Sequence, residues 1–219
     1  VRKLLPDQWG FLCPVHTPDG SPCGLLSHLA AKCRISTVQV PREAILAWLR
    51  SRLSSAGVVL LRHGKPPPLR DYLPVVYDGE VLGYIAVATA AATADSLRRA
   101  KVRGGCDDGG GGGDDASAAA PEAISTLEIA LVERGPARRF GALYLSLGSA
   151  RFLRPVINNQ LGAIEEIGVL EQTSLRISYG DGDLRAHEAS HRETRANAML
   201  SVIASRTPFC DFNQSPRNR

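Results

Sequence analysis

The order of apolar and polar residues indicates a helix in two separate segments of the chain, and in the first of them apolar side chains recur at helical spacing. The first segment opens at Pro41 and is followed by Gly57, a residue that commonly ends helices. The second covers residues 86–101, where an alanine-rich run becomes basic towards its end. The first segment therefore predicts an amphipathic helix, and the second predicts a further helix. In the first of them, the apolar repeat consists of Ile45, Leu46, Trp48, Leu49 and Leu53.

Shorter apolar runs between turn signals predict strands. Residues 58–61 have the continuous pattern of a buried strand, and residues 75–82 predict a hairpin that turns at Asp78-Gly79. A short helix is predicted at residues 164–169, and residues 198–204 are expected to be helical, or at least compact and apolar. This mixture predicts an α+β fold. Further strands are predicted at residues 126–132, 142–147, 149–156 and 175–179.

Two stretches lack a periodic pattern. Residues 1–37 are interrupted by prolines and glycines, and Thr17-Pro18-Asp19-Gly20 predicts a turn because Pro presets φ and Gly accepts a positive φ. Residues 104–120 contain five consecutive glycines flanked by aspartates, a composition that buries too little apolar surface to stay ordered. We therefore expect a flexible insertion at residues 104–122. Residues 65–68 predict a shorter, extended linker.

Composition restricts the kind of protein that this chain can be, but it does not assign a function. The chain has 26 basic and 22 acidic residues, and its formal net charge of +4 is compatible with contact to nucleic acid but does not establish it. No apolar run approaches the roughly 20 residues that cross a bilayer, so no membrane contact is expected. The five cysteines lack the spacing of a disulfide-stapled module, and Val1 does not open a signal segment. We expect an intracellular protein and an internal part of a longer chain.

One cluster of soft ligands has to be weighed as a zinc site. Cys13, His16, Cys23, His28 and Cys33 place five such ligands close together in the sequence. No two of these cysteines are closer than ten positions, whereas structural zinc sites pair ligands two to four residues apart. Buried, reduced cysteines are the simpler interpretation, so zinc is not expected. A small zinc-binding module stays open as an alternative.

Two other kinds of site are not predicted. The glycines at residues 109–113 are flanked by aspartates and lack a following Lys-Ser or Lys-Thr, so they do not indicate a phosphate-binding loop. His187 and His191 lie in a charged stretch without a nucleophile-elbow sequence, so a Ser-His-Asp site is not indicated.

Two motifs near the ends of the sequence carry a family resemblance. WGFLCPVHTPDGSPCGL at residues 9–25 is similar to the fork region of the second-largest subunit of eukaryotic RNA polymerases, and DFNQSPRN at residues 211–218 is similar to the start of their hybrid-binding region. ARFLRPV at residues 150–156 resembles a third segment of the same family. Val15-His16 and residues 208–212 are most similar to the RNA polymerase I version. The resemblance spans essentially the whole chain.

This resemblance implies a domain layout. Residues 1–37 are expected to end a fork domain, and residues 191–219 to begin a hybrid-binding domain. Residues 38–103 and 123–190 would form two parts of an external α/β domain, separated by the insertion at 104–122. The chain would therefore contain several segments of a larger subunit.

The resemblance also assigns candidate site residues. Arg217 matches the position whose guanidinium contacts the phosphates of the incoming NTP, and a planar guanidinium can pair two phosphate oxygens at once. Asp19 is expected to orient a basic residue or only to form the turn, while Arg2 and Lys3 are either backbone-phosphate contacts or a solvated edge. The loop near the RNA–DNA hybrid would consist of Thr17, Pro18, Asp19 and Gly20. The residues expected to shape the loop around Arg217 are Asn213, Gln214 and Pro216.

The implied function is a part of the catalytic core of RNA polymerase I, which transcribes ribosomal RNA genes in the nucleolus. Mg²⁺ would be held by the partner largest subunit, and the other partners would be further polymerase subunits, the DNA template, the RNA–DNA hybrid and NTP. The chain alone would be inactive. Departures from the family at residues 194–197 and at Arg219 leave a truncated, non-enzymatic remnant open, and the equivalent subunit of RNA polymerase II or III is a further alternative.

Overall fold

A computed structural model shows helices and strands mixed along the chain, which confirms the predicted α+β class. Among the residues that it describes, no helix is both long and apolar enough to span a membrane. The described residues are 2–37, 39, 41–61, 67–68, 70–103, 121–135, 140–180, 183, 186–209, 212 and 214–215.

The helices and strands are numbered in chain order. The helices are α1 Arg42–Ser55, α2 Val87–Val102, α3 Pro121–Ser125 and α4 Val169–Gln172. The strands are β1 Arg34–Ile35, β2 Val59–Leu60, β3 Tyr72–Tyr77, β4 Glu80–Ala86, β5 Glu128–Val132, β6 Ala142–Ser146, β7 Phe152–Asn158, β8 Ala163–Gly168, β9 Ile177–Ser178 and β10 His191–Glu193. Short 3-10 helices occupy Pro6–Gln8, Ala186–Glu188, Ala196–Met199 and Ala204–Arg206.

The chain divides into two compact units. The middle unit consists of Thr37–Ser149, and the two-segment unit combines Val1–Ser36 with Ala150–Arg219. The division between residues 149 and 150 falls inside the range 123–190 that the sequence analysis treats as one part. The assignment of fork, external and hybrid-binding regions stays a prediction.

The middle unit is built on a five-stranded sheet in the order β2-β4-β3-β6-β5. Only β3 and β6 run parallel, and the other neighbours are antiparallel. The hairpin between β3 and β4 turns at Asp78 and Gly79, both of which have positive φ (44° and 89°), as the sequence predicted. The hydrophobic core of the middle unit includes Leu49 and Leu53 from α1 and Ile85, Ile129, Leu143 and Leu145 from the sheet.

Both long helices of this unit lie where the sequence predicted helices. α1 buries four apolar residues of the repeat and stops before Gly57, which has φ of 78°. α2 is fixed to the sheet by Arg98, whose buried guanidinium donates to the backbone carbonyl of Ile129 at 2.6 Å. Since Ile129 lies in the edge strand β5, Arg98 satisfies a carbonyl that a further strand could otherwise use.

The strand predicted at residues 58–61 exists, but it is not buried. β2 pairs only with β4 at the edge of the sheet, and the side chains of Val59 and Leu61 are 53% and 45% exposed. A short run of apolar residues does not show whether a strand lies inside a sheet or at its edge. The prediction was therefore right about the strand and wrong about its environment.

In the two-segment unit, β7 is the central strand of a second five-stranded sheet. It pairs antiparallel with β8 along one side and with β1 and β10 along the other, and β10 continues in parallel to β9. β7 begins at Phe152, later than the predicted start at residue 149, because Ala150 adopts a positive φ of 63°. It continues beyond Val156, where the sequence analysis ended it.

The helix predicted at residues 164–169 is wrong. Residues 163–168 form β8, which returns along β7 after a turn in which the Asn158 side chain accepts hydrogen bonds from the backbone N–H groups of Gln160 and Leu161. Glu165 and Ile167 are both buried, as expected for alternate residues on one face of a strand. The turn residues determine this outcome, because they bring the segment back onto β7.

Two further expectations have mixed outcomes. The compact segment at 198–204 contains parts of two 3-10 helices rather than one helix, and Val202 and Ile203 between them are exposed. The insertion expected at residues 104–122 lies outside the described residues except for the start of α3, which the sequence analysis did not predict. Residues 65 and 66 of the predicted linker lie outside them as well, whereas residues 67 and 68 are described.

Candidate functional site

The first family-like motif folds into a closed loop, residues 9–30, which we call the N-terminal loop. The backbone N–H of Cys13 donates to the carbonyl of His28 at 2.8 Å, and that of Ala30 donates to the carbonyl of Phe11 at 2.9 Å. Phe11 and Cys13 are 1% and 0% exposed. The two ends of the loop are therefore joined by backbone hydrogen bonds and anchored by buried side chains.

Thr17 holds the turn of this loop from within. Its buried hydroxyl donates to the carbonyl of Leu26 at 2.8 Å and accepts from the backbone N–H of Gly24 at 2.9 Å. Gly20 has φ of 81°, as the sequence predicted for the Thr-Pro-Asp-Gly turn. Using one hydroxyl as both donor and acceptor lets Thr17 fix two backbone positions at once.

The charged candidate residues in and before the N-terminal loop are exposed. Asp19 is exposed, and its carboxylate has no ion pair or hydrogen bond to another described residue. Arg2 is exposed and donates through Nη1 to the carbonyls of Ser21 and Cys23, at 2.8 and 2.6 Å. Lys3 is also exposed. The proposed contacts of these three residues with phosphates or basic groups stay predictions.

Arg154 joins the N-terminal loop to the sheet through a buried network. Its Nη1 contacts both carboxylate oxygens of Glu193, at 2.7 and 2.9 Å, and its Nε donates to the side-chain oxygen of Gln172 at 2.6 Å. The Gln172 amide nitrogen in turn donates to the carbonyl of Trp9 at 2.9 Å. The Arg154 and Glu193 side chains are 5% and 7% exposed, so the pair is largely removed from water.

Gly10 makes this network possible. It has φ of 77°, and a Cβ atom at this position would come within 2.7 Å of the Arg154 guanidinium. Because Glu193 and Gln172 hold that guanidinium, it has little freedom to move aside. Glycine at position 10 of the first motif is therefore required by the close approach of Arg154, a residue of the ARFLRPV segment.

His16 connects the N-terminal loop to the C-terminal part of the same unit. Its Nδ1 lies 2.8 Å from the hydroxyl of Ser201, and its ring stacks on His28 with centroids 3.6 Å apart and planes 6° from parallel. Partial burial, and secondarily the neighbouring His28 ring, lower the pKa of His16 below its usual value of 6.5. The arrangement therefore favours a neutral His16.

This geometry predicts a pH dependence of stability. Because the pKa of His16 is lower in the folded state than in the unfolded state, its contribution is fully present above pH 6.5 and is lost as the pH falls below that value. Urea unfolding of the purified chain at several pH values between 5 and 8 should show a stability that declines below pH 6.5. An NMR titration should give a His16 pKa below that of an unfolded peptide.

Two variants separate His16 from the other titrating groups. His16→Asn keeps a polar side chain but removes the titration, so the decline below pH 6.5 should become smaller. His28→Gln removes the neighbouring charge, so the pKa of His16 should rise towards its usual value. A decline that is the same in His16→Asn as in the unmodified chain contradicts this account.

The two family-like motifs meet in the structure. The hydroxyl of Ser215, in the second motif, donates to the carbonyl of Val15, in the first, at 2.8 Å, although 200 residues separate them in the chain. Nearby, the backbone N–H of Ala31 donates to the carbonyl of Leu200 at 2.7 Å. The segment that carries the second motif is therefore attached to the N-terminal loop.

Most of the predicted residues in the second motif lie outside the described part. Asn213, Pro216 and Arg217 are not described, and Gln214 is exposed. The sequence analysis did not single out Ser215, because a serine before proline is a common turn residue and gives no local sign of a partner 200 positions away. Arg154 was noticed only as part of the ARFLRPV segment.

A second buried network in the same unit links β7, β8 and β10. Glu165 accepts from the Asn158 amide at 3.0 Å and lies 3.0 Å from His191 Nε2, while His191 Nδ1 lies 2.9 Å from the hydroxyl of Ser190. The sequence analysis did not predict that a serine, a histidine and a carboxylate would be hydrogen-bonded in series. However, Ser190 also donates to the carbonyl of Arg176, and His191 is 2% exposed. The network therefore ties strands together.

The described cysteines lie in separate environments within the two-segment unit. Burial raises the pKa of the Cys33 thiol to about 11, against the opposing effect of Arg154, so Cys33 is a neutral thiol at physiological pH. Cys13, Cys23 and Cys33 do not form disulfides with described residues. Among the described residues, no group of three or more His, Cys, Asp or Glu side chains is arranged to hold a metal ion.

Comparison with known proteins decides the family. RNA polymerase Rpb2, domain 3, matches residues 1–35, and RNA polymerase I, Rpa2 specific domain, matches residues 82–154. Over its whole length the chain is 40% identical to DNA-directed RNA polymerase I subunit RPA135 of Saccharomyces cerevisiae. This chain belongs to the family of second-largest RNA polymerase subunits.

Two further relatives from distant eukaryotes agree with this family. The chain is 37% identical over its whole length to DNA-directed RNA polymerase I subunit RPA2 of Mus musculus, and 37% identical to DNA-directed RNA polymerase I subunit 2 of Arabidopsis thaliana. It spans only 16 to 18% of the length of these three subunits. The match to an Rpa2-specific domain confirms the RNA polymerase I branch that Val15-His16 and residues 208–212 predicted.

Proposed function

We propose that this chain forms part of the catalytic core of a DNA-directed RNA polymerase I, which transcribes ribosomal RNA genes by nucleotidyl transfer from NTPs. The match of the whole chain to RNA polymerase I subunits carries the proposal. The structure supports it because the two motifs that resemble parts of the polymerase centre lie in one compact unit and contact each other through Ser215 and Val15. The chain would act in the nucleus, within the nucleolus.

Arg217 is the proposed catalytic residue. In nucleotidyl transfer, charge spreads over the phosphoryl oxygens in the transition state, and cations placed beside those oxygens stabilise it. A guanidinium can pair two oxygens of the triphosphate, which the ammonium group of a lysine cannot do in the same geometry. Asn213, Gln214 and Pro216 would set the course of the chain on either side of the contact.

The N-terminal loop would lie near the downstream edge of the RNA–DNA hybrid. Thr17, Pro18 and Gly20 would give the loop its shape, and the exposed side chains of Arg2 and Lys3 could then neutralise backbone phosphates of DNA or RNA. Asp19 would orient a basic group of a neighbouring element. Thr17 supports this division of roles, because its hydroxyl is fully engaged inside the loop.

Mg²⁺ would be supplied by the largest polymerase subunit. Mg²⁺ prefers oxygen ligands, and the described residues of this chain contain no cluster of three or more candidate ligands. Other polymerase subunits, the DNA template and the hybrid would complete the site. For this reason no nucleotidyl transfer is expected from the chain alone.

A segment exchange tests the proposal. The segment of the Saccharomyces cerevisiae RPA135 subunit that aligns with this chain is replaced by residues 1–219, and the hybrid subunit is purified through an affinity tag. Because 40% of the aligned residues are identical, we expect it to co-purify with the largest polymerase subunit in near-normal yield.

The matched control is the same exchange with Arg154 replaced by Ala, which disrupts the buried network that shapes the loop. Its yield in the complex should be much lower. If the unmodified segment leaves the hybrid subunit soluble but unable to bind the largest subunit, the chain is not an equivalent polymerase segment, and the remnant hypothesis gains support.

A further inference from the structure

The two-segment unit has a cavity of about 300 Å³ beside the Arg154 network, which we call the aromatic cavity. Two accessible aromatic side chains line it, Trp9 at 41% and Tyr179 at 57% exposure. Arg154, Gln172 and Glu193 line it too, and the side chains of Arg154 and Glu193 are buried. An apolar wall with a few fixed polar groups is the usual composition of a binding site. The other apolar residues of the wall are Pro6, Leu175, Ile177 and Met199.

One hydrogen-bond donor in this cavity has no partner among the described residues. The Arg154 guanidinium carries five N–H groups, of which Nε donates to Gln172 and Nη1 donates to both carboxylate oxygens of Glu193. The two N–H groups of Nη2 are left over, and Nη2 is not one of the unpaired atoms that are sealed from solvent. Since Arg154 is only 4% exposed and lines the cavity, the cavity gives an acceptor access to Nη2.

The charges in the aromatic cavity cancel. Arg154 and Glu193 are joined at 2.7 and 2.9 Å, and they are the only charged side chains among the described residues that line the cavity. A phosphate would meet no net positive charge there, so nucleic acid is disfavoured as an occupant. A neutral amide fits, because its carbonyl can accept from Nη2 while its N–H donates to a remaining lone pair of the Glu193 carboxylate.

The volume of the aromatic cavity limits the size of its occupant. About 300 Å³ is the lower end of the range for ligand pockets, which runs from roughly 300 to 1,000 Å³. One large apolar side chain and the peptide group beside it fill such a space. Aromatic residues, Met and Arg are also enriched where polypeptides meet. The cavity therefore suits a polypeptide segment that inserts a single anchoring side chain.

A single anchor is sufficient only for a segment that is already tethered. Stable complexes between separate proteins bury on the order of 1,200 Å² of surface or more, far more than one side chain provides. A segment of the same polypeptide needs no such area, because the tether gives it a high effective concentration. This chain spans only 16 to 18% of the relatives that it matches, so most of such a subunit lies outside these residues.

We infer that the aromatic cavity is a docking site for a segment of the same subunit that lies outside residues 1–219. The segment places one large apolar side chain against Trp9 and Tyr179 and sets the neighbouring peptide group on Arg154 and Glu193. This inference rests on the proposed function, because it requires the chain to be part of a longer polymerase subunit.

Photo-crosslinking in the assembled hybrid polymerase, whose RPA135 subunit carries residues 1–219, tests the docking site. Tyr179→p-benzoylphenylalanine puts a photoreactive ring at the cavity wall in place of another aromatic ring. After irradiation, peptide mass spectrometry should find crosslinks concentrated in one segment of the same subunit outside the exchanged part. Ile164→p-benzoylphenylalanine is the matched control: Ile164 is 64% exposed in the same unit and does not line the cavity, so it should not crosslink to that segment.

Filling the cavity gives a second measurement. Met199→Trp and Leu175→Trp enlarge two different parts of the wall. Either change should lower the yield of the crosslink from position 179 about tenfold, because the larger side chain occupies the space of the docked one. Co-purification with the largest subunit is measured for both variants, and an unchanged crosslink yield in an assembled variant overturns the inference.

The outcomes separate the inference from the proposed function. If the hybrid polymerase assembles but position 179 crosslinks to nucleic acid, to another subunit or to nothing, the docking site is wrong and the proposed function stands. A crosslink from position 164 to the same segment as from position 179 also overturns the docking site. If the hybrid subunit does not enter the complex, the proposed function fails and the inference fails with it.

Discussion

Arg154→Ala is expected to destabilise the two-segment unit by about 3 to 5 kcal/mol, because it leaves the carboxylate of Glu193 buried without its partner. The change also frees the side-chain oxygen of Gln172 and removes the guanidinium that packs beside Gly10 and Phe11. Each of these losses acts in the same direction. The effect should therefore lie at the upper end of what single substitutions produce.

The two tryptophans allow each unit to be followed separately in this experiment. Trp9 belongs to the two-segment unit and Trp48 to the middle unit, so Trp9 fluorescence in a Trp48→Phe background reports the unit that contains Arg154. In urea unfolding of the purified chain, Arg154→Ala should lower the midpoint of the transition that Trp9 fluorescence reports. The midpoint that Trp48 reports in a Trp9→Phe background should not change.

Arg34→Ala is the control for Arg154→Ala. It breaks the pair of Arg34 with Glu166, whose atoms are 3.4 Å apart and whose side chains are 47% and 23% exposed. Such exposed pairs contribute about 0 to 1 kcal/mol, so this variant should unfold almost like the unmodified chain. Equal effects of Arg34→Ala and Arg154→Ala, both below about 1 kcal/mol, contradict the role of the buried network.

Arg217→Ala should lower kcat/KM for NTP on the order of 100-fold in the assembled polymerase, since a preorganised donor to a charged transition state has about this effect. Assembly should be normal, because the proposed contact is with substrate. Single-nucleotide addition on an RNA–DNA scaffold at limiting NTP measures the effect directly. Arg217→Lys should recover part of the rate, because lysine keeps the charge but loses the paired geometry.

Arg206→Ala is a suitable control for Arg217→Ala, because Arg206 is an exposed arginine in the same region of the chain. It should leave kcat/KM within about twofold of the unmodified enzyme, as expected for a surface charge that does not face substrate. Normal elongation at limiting NTP by the polymerase with Arg217→Ala would show that Arg217 does not contact the NTP.

Local signals predicted the middle unit well. α1 was predicted from apolar spacing, α2 from its alanine-rich run, and the β3–β4 hairpin from Asp78-Gly79, because each of these patterns depends on residues that are close in sequence. The environment of β2 was not predictable in the same way. Whether a strand lies at an edge depends on which strands pair with it, and the residues of the strand do not encode that alone.

Tertiary context decided the errors in the two-segment unit. Ile164 and Ile167 are spaced as in a helix, but the turn after Asn158 returns the chain along β7 and makes the segment a strand. A short segment follows its neighbours when a long pairing partner is available. An Asn-rich sequence ending in Gly162, which has φ of 63°, was the signal that could have revealed the turn.

The family motifs gave the candidate site, but not its connections. The sequence identified residues 9–25 and 211–218 as related to one polymerase centre. The structure adds that the Ser215 hydroxyl donates to the Val15 carbonyl. Arg154 contacts Glu193, which lies 39 residues away in the sequence, and no local sequence pattern predicts such a partner. Long-range hydrogen bonds of this kind depend on the finished fold, so a single sequence cannot supply them.

Template-directed NTP incorporation by the polymerase that contains the exchanged segment is the most direct test of this account. The measurement is kcat/KM for NTP on a defined RNA–DNA scaffold, compared with the unmodified Saccharomyces cerevisiae enzyme. We predict a value within about tenfold of that enzyme, together with a loss on the order of 100-fold when Arg217 is replaced by Ala. An assembled complex that incorporates no nucleotide, with or without Arg217, contradicts the claim that this chain is a working part of a polymerase centre.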